Sequence, residues 1–357
     1  MAGARPNFMK IAPLIRAINN TKDSGNNISY RLVYTGKEND PSIDDSLFSD
    51  LDIKAPDAYL GIDEKNFAEL AAKIIIAFDK ELEENPTQVV LVVDDLTATM
   101  SCAITAKKRG IKVAHLVAGI RSFDINMPKE MNRVITDNLS DYLFTAGSDA
   151  NRNLNQTGTS ETNVFHVGNI LIDTIRFNRN RLLKPAWFDV LKLEPKEYIL
   201  LTINKRNLIN NKSNFKRIIE TIVANSQGLP IVAPVRPYVE EAINNLGIQH
   251  DNLHVMPSQN YLHFGYLVEQ AKVIISDSGN VAEEATFLGV PCLTLSYYAE
   301  HPETWRIGTN ELVGEDPSRL AEALNKLHNN EWKVGKLPER WDGRTAERII
   351  QILSDKG

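Results

Sequence analysis

The sequence predicts an α/β protein built from two doubly wound domains that face each other across a cleft. Three observations carry this. Short β-branched runs alternate with helical patterns along the whole chain, the runs fall into two groups of about five, and a Pro-punctuated connector near 173–195 separates the groups. Such alternation implies parallel sheets covered on both faces. The length of 357 residues agrees with two domains of roughly 100–200 residues each. In chain order, a glycine turn (Gly3-Ala4-Arg5-Pro6-Asn7) opens a helix at 8–18 with no strand ahead of it. Strands follow at 31–35, 89–93, 113–116, 142–145 and 164–167. Helices at 67–84 and 97–109 repeat their apolar residues at three- and four-residue steps. The connector begins helical at 171–183. Strands resume at 198–202, 230–234, 253–255, 273–276 and 291–295, with helices at 214–226 and 281–288 between them.

Composition excludes some function classes. Lys plus Arg number 40 and Asp plus Glu 46, a net charge of −6, which argues against a chain made mainly to grip nucleic acid or an anionic membrane. Cys102 and Cys292 both sit in apolar runs and cannot form a disulfide framework, so a reducing, cytoplasmic setting is expected. The first residues have neither the basic nor the apolar region of a signal peptide, and no run approaches the length of a membrane span. There is no Walker A sequence, no Cys/His metal cluster and no G-x-S-x-G elbow.

Ligands in doubly wound sheets lie beyond the carboxyl ends of the strands, so residues there are the candidates. Arg5 beside the first glycine turn suits a phosphate. Asp94 and Asp95 after the strand 89–93 either cap the next helix or supply a base. His115 ends the following strand, where a lone His is more often structural than catalytic. Glu130 and Arg133, three apart, share a helix face; they form a simple pair or a positioned carboxylate with a cation. Ser276-Asp277-Ser278-Gly279-Asn280 opens a helix with amides and a hydroxyl suited to phosphate, and Glu283 and Glu284 lie in its first turns. Of all the segments, this turn looks most like a ligand site.

Taken together these segments resemble the non-hydrolysing UDP-N-acetylglucosamine 2-epimerases over nearly the whole chain. The anchors are Gly3 to Pro6 with Lys10 to Pro13, His115 to Ser122, Met127 to Arg133, Gly168-Asn169 with Asp173, Asp277 to Gly279 with Glu283-Glu284, Gly308 to Gly314, and Trp341 to Arg348. The resemblance implies a GT-B architecture of two Rossmann-like domains, a homodimer, and no nicotinamide or metal cofactor. Residues 1–172 become the N-terminal domain, with its first strand apparently missing, and 173–340 the UDP-binding domain. Residues 341–357 form a helix that packs back towards the first domain. The implied activity inverts C2 of a UDP-HexNAc by anti-elimination and re-addition of UDP through a 2-acetamidoglucal. Asp95, Glu130 and Arg133 match the family's catalytic residues. Arg5, Lys10, His115, Asn204, Phe264, Ser278, Gly279, Asn280, Glu284 and His301 fall at substrate positions.

Several matched positions carry a different residue. Val117 stands where the family has a second catalytic Glu, and Asn204 where it has a histidine thought to assist UDP departure. Asp94 and Asn280 replace glycines, Ala282 a Gln and His301 an Arg. Lys37-Glu38 and Arg236 replace the Gln-His pair and the His of the allosteric site in bacterial members. Val cannot accept a proton and Asn cannot act as an acid at neutral pH. Two expectations follow: an epimerase in surface-polysaccharide synthesis, or an impaired UDP-sugar-binding paralogue on the same scaffold.

Overall fold

The computed structural model describes residues 1–22, 28–43, 45–248 and 250–356. It divides into two compact units, Met1–Phe177 with Glu339–Gly357, and Asn178–Pro338.

The first unit runs α1 (Arg5–Lys22), β1 (Val33–Tyr34), α2 (Asp45–Leu51), β2 (Ala58–Tyr59), α3 (Phe67–Glu84), β3 (Val89–Val93), α4 (Thr97–Lys108) and β4 (Lys112–Leu116). It continues with α5 (Pro128–Leu139), β5 (Tyr142–Thr145), α6 (Ser148–Gln156), β6 (Val164–His166) and α7 (Ile170–Asn178). Strands β3-β4-β5-β6 form one parallel sheet, and β1 and β2 pair separately. The central strands β4 and β5 are buried on both faces, as in a parallel sheet, while β6 at the edge is half-buried. Between β1 and β3 lie Met1 and Ala2. The Ala2 N–H donates to the Val33 carbonyl at 2.9 Å, its carbonyl accepts from Thr35 at 3.0 Å, and the Met1 amino group donates to the Leu91 carbonyl at 2.9 Å. These two residues occupy the row ahead of the Gly3 turn.

Helix α1 carries Pro13 in its interior, which leaves the Met9 carbonyl without its helical donor. The Thr174 hydroxyl, from α7, supplies the missing hydrogen bond. The final helix α16 (Thr345–Lys356) packs on α1. The Asp173 carboxylate caps it, accepting from Thr345 at 3.1 Å and Ala346 at 2.8 Å. Buried Trp341 donates its indole N–H to the Ala146 carbonyl at 3.0 Å. Gly168, at φ +99°, passes so close to the Arg340 carbonyl that a Cβ there would sit 2.1 Å from its oxygen. Only glycine fits.

The second unit comprises α8 (Ala186–Val190), β7 (Ile199–Thr202), α9 (Arg206–Asn210), α10 (Lys212–Ala224), β8 (Ile231–Val235), α11 (Pro237–Asn244) and β9 (Leu253–Pro257). After these come α12 (Tyr261–Gln270), β10 (Val273–Ser276), α13 (Gly279–Leu288), β11 (Cys292–Thr294), α14 (Glu303–Arg306), β12 (Asn310–Leu312) and α15 (Pro317–His328). Its single parallel sheet has the order β12-β11-β10-β7-β8-β9. One apolar cluster, with Phe215, Ile218 and Leu324, fills one face, and a second, with Phe188, Tyr198 and Leu267, fills the other. The sheet is doubly wound. The short strands β2 and β12 carry no β-branched run, and the sequence pattern does not reveal them. No described helix is long and apolar enough to cross a membrane.

Candidate active site

In the first unit, parallel registry sets Val93 beside Leu116, so β3 and β4 end together and bring Asp94, Asp95 and Val117 to one edge. The backbone turns sharply there. Asp94 has φ +61° and Val117 φ +71°, a left-handed conformation that a β-branched residue adopts only under strain. Asp94 accepts from Lys10 Nζ at 2.6 Å and from Asn7 Nδ2 at 2.8 Å. Asn7 in turn holds the first glycine turn, its Oδ1 accepting from Gly3 at 2.9 Å and Ala4 at 3.2 Å. Arg5, half-buried, opens α1 directly after that turn.

Asp95 is buried against Arg133, whose Nε and Nη2 lie 2.9 and 2.6 Å from Oδ2. Lys129 Nζ approaches the other oxygen at 3.2 Å, and Asn132 fixes the Asp95 carbonyl at 2.9 Å. All three partners stand on α5, whose start is set by Pro128 in its first turn. Glu130, on the same helix, accepts from the Ser122 N–H at 2.8 Å, the Ser122 hydroxyl at 3.0 Å and the Phe123 N–H at 3.2 Å. Arg133 Nη1 lies 3.4 Å from Glu130, so one guanidinium bridges two buried carboxylates.

His115, at the end of β4, is engaged within the protein on both ring nitrogens. Its Nδ1 lies 2.6 Å from Asp137 and its Nε2 2.9 Å from the Asp94 carbonyl, and it is 1% exposed. Both ring nitrogens are thus turned inward, onto groups of the protein itself. Through the second contact it fixes the backbone at Asp94. Burial pushes the Asp137 carboxyl upward, but His115 and Arg121 outweigh it and hold the group below the usual carboxylate range.

In the second unit, the end of β10 and the end of β7 are tied together. The Asp277 carboxylate accepts from the Asn204 N–H at 3.0 and 2.8 Å on its two oxygens and from Lys205 at 2.6 Å. Thr202 and Ser276 hydroxyls meet at 2.7 Å, and Ser276 Oγ receives the Ser278 N–H at 3.0 Å. Ser278 precedes α13, with Gly279 exposed and Asn280 half-buried at its start. A Cβ on Gly279 would find only Glu300 Oε2, 4.0 Å away, so the glycine side of this helix N-terminus is uncrowded. One helical turn on, Glu284 is buried and its pKa is pushed up to about 8, by burial first and then by adjacent Glu283. His301 Nε2 lies 3.8 Å from Glu283. Asn204 is exposed. Phe264 is half-buried against the core beneath α12.

Residues 20–354 match the sequence profile of the family described as UDP-N-acetylglucosamine 2-epimerase. The chain belongs to that family. It is 33% identical to a UDP-N-acetylglucosamine 2-epimerase of Methanocaldococcus jannaschii, over 99% of this chain and 97% of the relative. A crystal structure of the Methanocaldococcus jannaschii UDP-GlcNAc 2-epimerase in complex with UDP-GlcNAc and UDP superposes with a TM-score of 0.85 at 32% identity, covering 99% of this chain and 98% of that one. A UDP-2,3-diacetamido-2,3-dideoxy-D-glucuronate 2-epimerase of Pseudomonas aeruginosa is 29% identical over 99% of this chain and 98% of its own. The fold is thus the GT-B type of these epimerases, two Rossmann-like domains.

Within this epimerase-family chain, Asp95, Glu130, Arg133, Arg5 and Lys10 gather at one end of the first sheet, and Asn204, Ser278, Gly279, Asn280, Glu284 and His301 at the corresponding end of the second. Sequence reasoning missed Asp137; Asn7 and Asn132 lay within the marked segments, but their contacts with Asp94 and Asp95, far away in the chain, were not foreseen. Asp277 was in view as part of the Ser278 turn, but its grip on the β7 loop was not. No group of three or more His, Cys, Asp and Glu side chains placed to hold a metal occurs among the described residues.

Proposed function

We propose that the protein is an isomerase that inverts C2 of a UDP-linked 2-acetamido-hexose, of the UDP-GlcNAc/UDP-ManNAc kind, by elimination and re-addition of UDP. The observation that carries this is the Asp95–Arg133–Glu130 array, two buried carboxylates on one guanidinium. Asp95 and Glu130 handle the C2 proton on the two faces of the sugar. As the proton leaves, the C2–H electron pair becomes the C1=C2 double bond and the C1–O bond breaks, its pair departing with UDP. Return of a proton to the opposite face, with UDP re-adding at C1, gives the epimer. Arg133 steadies the change in charge as either carboxylate takes up or gives back the proton, an electrostatic contribution that costs no reorganisation. The Ser278-Gly279-Asn280 turn and Arg5 with Lys10 hold the leaving diphosphate, Glu284 a ribose hydroxyl, and Phe264 the uracil. The same reading has the protein act as a homodimer in the cytoplasm, on the route to surface polysaccharide.

Incubation with UDP-GlcNAc in D2O tests it: deuterium at C2 is expected, and no exchange with any UDP-HexNAc would sink the proposal. Val117 and the exposed Asn204 favour a second reading, a UDP-sugar-binding paralogue without turnover. Its signature is UDP binding in calorimetry with no exchange at C2.

A further inference from the structure

Helix α5 carries Glu130, Arg133 and Asp137 on one buried face, at i, i+3 and i+7. Asp137 stands two turns beyond Glu130, about 10 Å along the axis. Its carboxylate turns to the loops that flank the Asp95–Arg133–Glu130 array. One oxygen, Oδ1, lies 2.6 Å from His115 Nδ1. The other accepts from Arg121 Nη1 at 2.6 Å and from the Gly119 N–H at 3.2 Å. Asp137, His115 and Arg121 are all buried. Each contact leads on to a member of the array. His115 Nε2 lies 2.9 Å from the carbonyl of Asp94, the residue before Asp95, and a carbonyl only accepts, so this nitrogen donates. Arg121 directly precedes Ser122 and Phe123, whose N–H groups Glu130 accepts. Gly119 is clamped from its other side by Asn153, which donates to the Gly119 carbonyl at 2.9 Å.

Both loops need such a hold. Val117, Gly119 and Phe123 take φ of +71°, +80° and +61° within one short stretch, and Asp94 on the neighbouring loop takes +61°. Left-handed backbone at residues other than glycine persists only where the surroundings over-determine it. Here one buried carboxylate reaches both loops. We propose that Asp137 is a positioning residue for proton transfer at C2: through His115 it sets the Asp95 loop, and through Arg121 and Gly119 it sets the loop that aims Glu130. It acts through these residues and not on the sugar. This rests on the function proposed above, in which Asp95 and Glu130 handle the C2 proton. Misplacing a reacting group by about 1 Å is enough to slow a reaction about 10²-fold.

Two measurements on the full chain test it. With UDP-GlcNAc in D2O, Asp137→Asn, which keeps the shape and removes the charge, is expected to lower kcat for C2 exchange about 10²-fold while KM stays within about threefold. Amide hydrogen exchange followed by mass spectrometry reads the positioning without turnover. In Asp137→Asn the segments 92–96 and 120–127 should exchange about tenfold or more faster, with the segment around Ser278 in the second unit unchanged. Single-arm variants separate positioning from a general loss of stability, and they carry the test if Asp137→Asn does not fold. His115→Gln should loosen 92–96 alone, and Arg121→Gln 120–127 alone. Equal loosening of both segments in every variant would show that Asp137 merely stabilises the unit, and overturns the proposal. So does a kcat in Asp137→Asn within about threefold of the parent. No C2 exchange in the parent with any UDP-HexNAc sinks the proposed function and takes this inference with it; exchange in the parent that Asp137→Asn leaves intact overturns this inference alone.

Discussion

Lys10 Nζ lies 2.6 Å from the Asp94 carboxylate, and Asp94 holds it from a left-handed backbone at φ +61°. Lys10 is 5% exposed, and Asp94 is one of the partners that compensate its ammonium. Asp94→Asn keeps the backbone tolerance, since Asn also adopts this conformation, and keeps a carbonyl oxygen for Asn7. It removes the countercharge. The variant is expected to lose about 1–3 kcal/mol in urea unfolding, because the Asp94 side chain is only partly buried and Lys10 keeps its other neighbours. Adding Lys10→Met should recover much of that loss. If the single variant is as stable as the parent, the pair contributes nothing and Asp94 is held by its turn alone.

Val117 sits at φ +71° on a half-buried turn that no β-branched residue adopts without strain. The cost is roughly 1–2 kcal/mol, which a residue at ease in this region would not incur. Val117→Asn should therefore stabilise the chain by about 1 kcal/mol in chemical denaturation, an uncommon sign for a substitution beside an active site. Val117→Glu places an acid on the same turn. Combined with Asn204→His, it is expected to raise C2 deuterium exchange by about 10²-fold or more, the typical contribution of a positioned acid or base. No gain in exchange would mean that the existing carboxylates already carry the proton transfers.

Much of this was legible beforehand, for a physical reason. The strands at 142–145 and 273–276 are mostly apolar and buried on both faces, and 89–93 is apolar throughout and buried on one face, half-buried on the other, the strongest signal a parallel sheet gives. Strand ends and helix spacing marked Asp95, Glu130 and Arg133 as candidates with alternatives open, and only the resemblance to the family gave them a catalytic role. What sequence could not give was partnership across distance. His115 is bound to Asp137, 22 residues on, and Asp277 reaches back 73 residues to Asn204. Neither contact leaves a periodic trace. β12 stayed hidden because Asn310-Glu311-Leu312 pairs through its backbone, while Asn310 spends its side chain on Thr294 at 2.7 Å.

Glu284 sets a pH dependence whose sign is fixed by its raised pKa. The folded chain keeps that proton until about pH 8, because burial and adjacent Glu283 disfavour the carboxylate, whereas an unfolded Glu releases it near 4.5. Between those values the unfolded state binds fewer protons, so stability falls as pH rises through the window, by about 5 kcal/mol at most. Asp173, raised to about 6 by burial against its hydrogen bonds to α16, adds a shallower decline between 3.8 and 6. Glu284→Gln does not titrate. It should be clearly more stable than the parent at pH 8.5 and nearly equal to it at pH 5, measured by guanidinium unfolding at both. Parallel pH profiles for the two proteins would show that Glu284 is solvated after all.

The Thr174 hydroxyl and Pro13 form a pair that never touch through their own side chains, yet each explains the other. Pro13 cannot donate to the Met9 carbonyl four residues back, and the hydroxyl of fully buried Thr174 does so instead. Thr174→Val keeps the shape and deletes the donor, leaving a helix carbonyl unsatisfied in the interior. That should cost about 1–3 kcal/mol. Pro13→Ala restores an N–H to the same carbonyl, so it should be worth more in the Thr174→Val background than in the parent, where the hydroxyl already occupies the site. A double-mutant cycle with a coupling energy of about 1 kcal/mol is expected. Additive effects would mean that water reaches Met9, and that α7 is held against α1 by apolar packing alone.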